Sequence, residues 1–251
     1  TTRRLSLTEA GRNYLPRAKQ ILVDLEEADG MVSSATRRVA GLLRVNAPVS
    51  FGILHLAPLW GAFLAFHPDV ELDVTLNDRV VDLLDEGCDV AIRIAQLADS
   101  TLVSRRLAST RLVLCASPEY LALHGMPTTL ADLARHWVIG YSYAPQGDTL
   151  TMVAPDGPCS VRTQPKFHSN NGETSRAAAL DHQGIVLQPD FLIGSDIAAG
   201  RLLRILPELE GEELGIYAVY PTRKHLSGKV RALVDFLATA FAQPAWRAEN
   251  G

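Results

Sequence analysis

Residues 42–47 alternate between the two faces of a predicted strand, and they begin a strand–helix unit that extends to residue 66. Leu43, Val45 and Ala47 fall on one face, which is the pattern of a half-buried β-strand. A proline ends this strand, and Ser50 then stands where a helix N-cap is expected. Its hydroxyl can accept a hydrogen bond from an unpaired N–H group of the first helical turn.

Apolar side chains after Ser50 recur at helical spacing, at Ile53, Leu56, Ala57, Trp60 and Leu64. The helix is expected to bend at Pro58 and to stop at His67. A strand that leads into a capped helix presents N–H groups and a partial positive charge, which suit a carboxylate or a phosphate. The alternative is an ordinary serine cap that binds no ligand.

A second helical pattern precedes this strand and has a strict period of 3.5 residues. Its apolar positions are separated by four and three residues in turn, and they are Tyr14, Ala18, Ile21, Leu25, Ala28, Val32, Ala35 and Val39. A helix of about 30 residues, about 45 Å long, is predicted here. The period favours pairing with a partner helix; the alternative is an amphipathic helix packed on its own domain.

The rest of the chain alternates predicted strands with predicted helices. Strands are predicted at 70–76, 90–92, 102–107, 112–116, 137–141, 150–153, 159–163, 167–169, 185–187, 202–206 and 214–220. Helices are predicted at 79–86, 119–124, 130–135, 173–182, 190–199 and 227–241. The last of these is expected to be capped by Ser227 and to carry an apolar stripe that a dimer buries. The strand–helix pattern occurs once before Cys115 and once after Ser117, which predicts two α/β lobes with a mostly parallel sheet. Ligands in such folds bind between domains, beyond the carboxyl ends of strands.

Composition excludes several classes of protein. The chain has 251 residues and is 47% hydrophobic, a normal globular value. We expect no membrane partner, because the apolar runs are too short and too interrupted to span a membrane and no charged-then-apolar leader opens the chain. Cys88, Cys115 and Cys159 show neither metal-ligand spacing nor a disulfide framework, which suits a reducing cytosol.

The charge is unevenly distributed. Residues 1–38 carry seven Lys/Arg and five Asp/Glu, whereas the remainder carries 17 and 23. The body of the protein, at −6, therefore does not resemble a nucleic-acid-binding surface, and only the N-terminal end is basic.

Catalytic motifs are absent from the sequence. It has no phosphate-binding or dinucleotide-binding glycine motif, no nucleophile elbow, no HExxH and no Cys/His cluster. Its seven histidines are dispersed, and nothing pairs a nucleophile with a base. We therefore expect no enzyme, no catalytic residue, no cofactor and no metal site.

Several short motifs together resemble LysR-type transcriptional regulators. Residues 4–11, RLSLTEAG, are similar to the end of the winged helix-turn-helix and the start of the linker helix of that family. Further matching motifs follow in the family's order: APVSFG at 47–52, AIR at 91–93, RRL at 105–107, ASPEYL at 116–121, NNG at 170–172 and GIVLQP at 184–189. The resemblance covers nearly the whole chain.

The resemblance implies a fold class and a domain division. The fold would be α/β, with two Rossmann-like lobes resembling a type II periplasmic binding protein, preceded by a long linker helix. Residues 1–40 would hold the end of the DNA-binding wing and the dimerising helix, and residues 41–251 the effector-binding domain. Lobe I would comprise about 42–115 and 217–250, and lobe II about 116–216, with crossings near 115–117 and 217–220.

The resemblance also implies partners and a location. The family is one of cytoplasmic one-component bacterial sensors that form homodimers or homotetramers through the linker helix, here Tyr14, Ala18, Ile21, Leu25, Ala28, Val32 and Ala35. Arg3 and Arg4 would be the DNA-binding tail of the wing, and most of the DNA-reading domain is missing from this sequence. Promoter DNA would bind the intact protein, but this chain alone is not expected to recognise it specifically.

The family's effector cleft maps onto nine residues of this sequence: Ser50, Phe51, Arg93, Ser142, Tyr143, Asn170, Asn171, Gln188 and Pro189. Ser50 and nearby N–H groups would bind an acidic head, with Phe51 as an apolar wall. Arg93 would supply a cation, or else form a surface salt bridge. Asn171 and Gln188 would close the cleft by hydrogen bonds, or else serve as a helix cap and a turn.

The sequence is therefore interpreted as the effector-sensing and oligomerisation region of a LysR-type regulator. A small organic acid bound between the lobes would control DNA binding and transcription. The alternatives are a solute-binding protein of the same fold, which would lack the heptad helix, and an α/β enzyme, which no catalytic constellation supports.

Overall fold

A computed structural model describes residues 8, 10–11, 14, 17–18, 21, 39–79, 87–96, 103–220 and 226–248. The predicted DNA-binding residues Arg3 and Arg4 and most of the predicted helix 79–86 lie outside these residues. So do four of the predicted dimerisation positions, Leu25, Ala28, Val32 and Ala35. Three dimerisation positions are described. Tyr14 and Ile21 are 69% and 62% exposed, and Ala18 is half-buried.

The described elements follow the predicted order. The strands are β1 (Ala40–Ala47), β2 (Asp69–Leu76), β3 (Val90–Ala95), β4 (Val103–Ala116), β5 (Ile139–Tyr141), β6 (Thr149–Ala154), β7 (Gly157–Arg162), β8 (Phe167–Ser169), β9 (Val186–Pro189), β10 (Leu203–Arg204) and β11 (Glu213–Tyr220). The helices are α1 (α-helical Val49–Phe51, π-helical Gly52–Leu56 and α-helical Ala57–Phe66), α2 (Pro118–His124), a 3₁₀ turn (Leu130–Arg135), α3 (Gly172–Leu180), α4 (Asp190–Ala198), α5 (Gly228–Ala240) and α6 (Ala245–Ala248).

One large mixed sheet joins the two lobes. Its strand order is β10-β4-β11-β3-β1-β2, with β9 also paired to β4. β1 is parallel to β2 and β3, but β11 and β4 are antiparallel to their neighbours. The prediction of a mostly parallel sheet is therefore wrong, because β4 and β11 run between the lobes in opposite directions.

Strand β4 is a single strand of 14 residues, not the two strands predicted at 102–107 and 112–116. The polar residues Ser109 and Thr110 interrupt the hydrophobic pattern, yet both are buried where the strand passes from one lobe to the other. The partner of β4 changes from β11 at Arg111 to β9 at Leu112. This change lies a few residues before the predicted crossing at 115–117.

Helix α1 begins at Val49, so Ser50 lies inside the first turn. Pro48 takes the N-cap position and forms no side-chain cap. The prediction of Ser50 as the N-cap is wrong, because the carboxylate of Asp78 accepts the hydrogen bond of the Val49 N–H at 2.9 Å. A π-helical segment, closed by the Ala57 N–H on the Gly52 carbonyl, precedes Pro58 and gives the distortion expected near that proline.

Helix α1 is also long and apolar enough, by length and composition, to cross a membrane. It has 18 residues with a mean hydropathy of 1.7, so the expectation that no apolar run reaches this length is wrong. In the fold, Phe51, Leu56 and Phe63 are fully buried against the sheet. An apolar outer face remains exposed, at Ile53, Leu54 and Phe66.

Helix α5 covers the lobe I sheet. Its apolar side chains Val230, Leu233, Val234 and Leu237 are buried within the protein's own core. The expectation that a dimer buries this stripe is therefore wrong. As predicted, Ser227 caps the helix by accepting a hydrogen bond from the Val230 N–H at 3.4 Å.

Candidate functional site

The start of α1 in lobe I meets the start of α3 and strand β9 in lobe II. Ser50 is 6% exposed, and its hydroxyl has no hydrogen-bond partner among the residues that the structure describes. A Cβ added to Gly172 would lie 3.3 Å from the Ser50 oxygen and 3.2 Å from Oε1 of Gln188. The structure thus brings Ser50 and Gln188 together on either side of Gly172, whose lack of a side chain permits the close approach.

Asp78 also lies where the start of α1 meets the start of α3, although no sequence motif predicted it as a site residue. Its Oδ1 accepts the Val49 N–H, and its Oδ2 accepts a hydrogen bond from Nδ2 of Asn171 at 2.9 Å. Asn171 uses its own side-chain oxygen to cap α3, by accepting the Thr174 N–H at 3.0 Å. Asp78 follows the end of β2, which is parallel to β1, and the carboxyl ends of parallel strands meet at one edge. That position was the signal available in the sequence.

Arg93 lies on β3 at the same edge of the sheet. Its Nη1 donates hydrogen bonds to the side-chain oxygen of Asn46 at 2.7 Å and to the Ile92 carbonyl at 3.1 Å. Asn46, near the end of β1, is fully buried, and its Nδ2 has no partner among the described residues. These contacts fix a guanidinium beside the carboxyl end of β1.

Phe51 lies behind the site. It is fully buried, and its ring packs edge-on against Phe191 with centroids 5.3 Å apart and against Trp246 at 5.9 Å. His55 Nε2 lies 3.0 Å from the Phe191 carbonyl oxygen, which adds a polar contact. In this arrangement, Phe51 supports the contact between the lobes and lines no open space.

Three predicted residues form a separate, exposed group on lobe II. The side-chain amide of Asn170 donates a hydrogen bond to the Tyr143 hydroxyl at 3.2 Å, and Ser142 binds the Ser169 carbonyl through its backbone. Nearby, burial raises the pKa of Tyr141 to about 12, with smaller contributions from the charges of Asp78 and Tyr143. Tyr141 is therefore within electrostatic range of both Asp78 and Tyr143.

Pro189 has an internal role. It is half-buried, pairs with Leu112 of β4 and stands at the N-cap position of α4. The predicted set thus divides into three parts. Ser50, Asn171 and Gln188 meet around Gly172 with Arg93 on the same sheet edge, Ser142, Tyr143 and Asn170 form a rim, and Phe51 and Pro189 pack internally.

Two open cavities lie elsewhere on the surface. One of about 340 Å³ is lined by Trp137, Val138, Ile139, Lys166, Phe167, Ala178 and Gln183; another of about 330 Å³ is lined by Gln96, Arg106, Glu213, Gly215 and Tyr217. Neither includes a predicted effector residue. Within the described part of the chain, no group of three His, Cys, Asp or Glu residues is placed to hold a metal ion.

Comparison with known proteins identifies the family to which the chain belongs. A family profile described as "LysR substrate binding domain" matches residues 36–242. The chain belongs to the LysR family. This membership decides against the solute-binding protein and the enzyme, because the similar proteins are HTH-type transcriptional regulators.

Individual relatives cover almost the whole of this LysR-family chain. It is 38% identical over 233 residues to an uncharacterized HTH-type transcriptional regulator of Haemophilus influenzae, covering 93% of this chain and 81% of the relative. It is 36% identical over 245 residues to the HTH-type transcriptional regulator DmlR of Escherichia coli, covering 97% and 79%. The structure of CrgA, a LysR-type transcriptional regulator from Neisseria meningitidis, matches with 32% identity and a TM-score of 0.75, covering 97% of this chain and 83% of that one.

These findings establish the α/β fold of a LysR regulatory domain, which is that of a type II periplasmic binding protein. They also establish the broad role of the chain. It carries the effector-binding domain of a transcriptional regulator.

Proposed function

We propose that this chain senses a small organic acid between its lobes and thereby controls the DNA binding and transcriptional activity of a homo-oligomeric cytoplasmic regulator. Ser50 carries the proposal. Its buried hydroxyl has no protein partner among the described residues, and burying an unsatisfied hydroxyl costs free energy that a ligand can recover.

The groups around Ser50 favour an acid over a neutral ligand. The second and third N–H groups of a helix, here those of Ser50 and Phe51, cannot be satisfied within the helix, and the dipole adds positive charge there. Arg93 supplies a full positive charge at the same sheet edge. Gln188 of the other lobe places its side-chain Oε1 beside Gly172 and would have to turn its NH₂ group there to donate to a bound carboxylate. A carboxylate held by such donors gains charge-assisted hydrogen bonds.

Apolar surface supports the proposed homodimer or homotetramer. Tyr14 and Ile21 lie four and three residues from Ala18 in the heptad, and both are largely exposed in the single chain. Helix α1 exposes Ile53, Leu54 and Phe66 on its outer face. Burial of these side chains against a second copy would stabilise the assembly.

Native mass spectrometry of protein purified from its own host tests the proposal. We expect dimers or tetramers that retain a small species whose exact mass is that of a carboxylic acid, and we expect Ser50→Ala to lose that species without changing the oligomer. Ser195→Ala serves as the control, because Ser195 is an exposed residue of α4. A monomer, or a neutral species retained equally by all three proteins, would contradict the proposal.

A further inference from the structure

Asp78 occupies part of the site that the proposed effector would use. Its Oδ1 accepts the N–H of Val49, which is the first residue of the continuous helix Val49–Phe66. The carboxylate therefore lies at the positive end of the helix dipole, where an acidic ligand would also be most stable. The next residue is Ser50, whose buried hydroxyl has no hydrogen-bond partner in the part of the chain that the structure describes.

The same carboxylate joins the two lobes. Asp78 follows β2 in lobe I, whereas its second partner, Asn171, begins α3 in lobe II. The orientation of the Asn171 amide is fixed, because its oxygen accepts the Thr174 N–H and its nitrogen must then face Asp78. We call the Val49–Asp78–Asn171 arrangement the Asp78 clamp.

The Val49 N–H cannot donate a full hydrogen bond to Asp78 and to an acidic ligand at the same time. A second carboxylate at the start of α1 would compete for the Val49 N–H and would repel the charge of Asp78. Displacement of Asp78 from Val49 would also change its contact with Asn171, since both bonds use one carboxylate group. A neutral ligand would leave the clamp in place.

We propose, building on the acidic effector proposed above, that Asp78 is a specificity-determining residue that competes with the effector carboxylate and holds the lobes together through Asn171 until that carboxylate binds. Asp78 thus sets which acids are accepted and links their binding to release of this contact between the lobes. Only a ligand with stronger interactions than the internal carboxylate releases the clamp.

Hydrogen exchange of the ligand-free chain tests the clamp itself. Asp78→Asn keeps an oxygen for the Val49 N–H but turns an NH₂ group toward the Asn171 NH₂, so the bond between the lobes is lost. We expect faster exchange in two peptides on opposite lobes, 49–56 and 171–178. The control is Asp73→Asn, on the strand that Asp78 follows, whose exposed carboxylate lies 3.9 Å from Arg44. Unchanged exchange in Asp78→Asn, or equal changes in both variants, would overturn the clamp.

Titration with benzoate and with its neutral analogue benzamide tests the competition. We expect Asp78→Asn to bind benzoate about tenfold more tightly than wild type, since the like charge is removed and a neutral amide oxygen competes less strongly for the Val49 N–H, and to bind benzamide unchanged. If Asp78→Asn binds benzoate as tightly as wild type does, or more weakly, the proposed competition is wrong, whereas the proposal of an acidic effector is unaffected. Benzoate and benzamide binding alike in both proteins, with exchange altered as expected, would instead refute the acidic effector and leave the clamp.

Discussion

The buried hydroxyl of Ser50 in lobe I lies 3.3 Å from the position that a Cβ on Gly172 of lobe II would occupy. Only a glycine at residue 172 permits this approach without a shift, because the same Cβ would lie 2.8 Å from Cδ2 of Leu192 and 3.2 Å from Oε1 of Gln188. The proposed effector site and the contact between the lobes therefore share their central residues.

Gly172→Ala is predicted to push the lobes apart. The added methyl group overpacks the contact and should lower the free energy of unfolding by about 1–3 kcal/mol, and it should weaken effector binding as well. Gly228→Ala is a matched control, since Gly228 is also the first residue of a helix and a Cβ there meets nothing within 4 Å. Thermal unfolding compares the two. Equal melting temperatures would contradict the tight contact.

A buried carboxylate is predicted to hold α3 and α4 together. Asp196 is fully buried and accepts hydrogen bonds from Arg176 at 3.0 Å and from Arg201 at 2.6 Å. Asp196→Asn should cost roughly 2–3 kcal/mol of unfolding free energy in denaturant titrations, because two arginines lose a charged acceptor. Asp235→Asn, which breaks the exposed pair with Arg105, should change it by less than about 1 kcal/mol. Comparable losses would contradict this role.

Acid stability is predicted to depend on Asp132. The N–H groups of Thr129 and Thr128 donate to its carboxylate and lower its pKa to about 2 from the usual 3.8. A depressed folded-state pKa contributes stability that is present above 3.8 and is lost as the pH falls through about 2. The melting temperature of wild type should therefore exceed that of Asp132→Asn at neutral pH, and the gap should close between these two pH values. A gap that is constant with pH would contradict the assignment.

Association is expected to depend on the heptad face of the helix that the sequence predicts near the N-terminus. Ile21→Ser removes an exposed apolar side chain from a heptad position and should shift sedimentation at micromolar concentration toward smaller species. Arg17→Ser is the control, because Arg17 is exposed but lies outside the heptad. Identical sedimentation of Ile21→Ser and wild type would rule out pairing through this face.

Local patterns were sufficient to predict much of the fold. Alternation alone identified β1, whose residues Leu43, Val45 and Ala47 are all buried as expected. The cap at Ser227 and the apolar stripe of α5 were likewise read correctly, because both depend on neighbours within one helical turn. Such signals are contained in a few consecutive residues.

The misread features depend on residues far apart in the chain. Ser50 is not a cap, because the Val49 N–H at the start of α1 donates its hydrogen bond to Asp78, which lies 29 residues after Val49 in the chain. The clamp joins Asp78 to a residue 93 positions further on, and no periodicity reports such a pair. β4 is continuous because its polar centre is buried where it passes between the lobes, a context that its own sequence does not contain.

The central claim is that a carboxylate binds beside Ser50, and calorimetric titration with a panel of aromatic and aliphatic acids and their amides tests it most directly. We predict that acids bind in preference to their amides and that Ser50→Ala weakens the best acid by about ten- to a hundredfold, the loss of one hydrogen bond to a charged group. The fold and the oligomer should stay intact. Amides that bind as tightly as the acids, or a Ser50→Ala variant that binds like wild type, would contradict the claim.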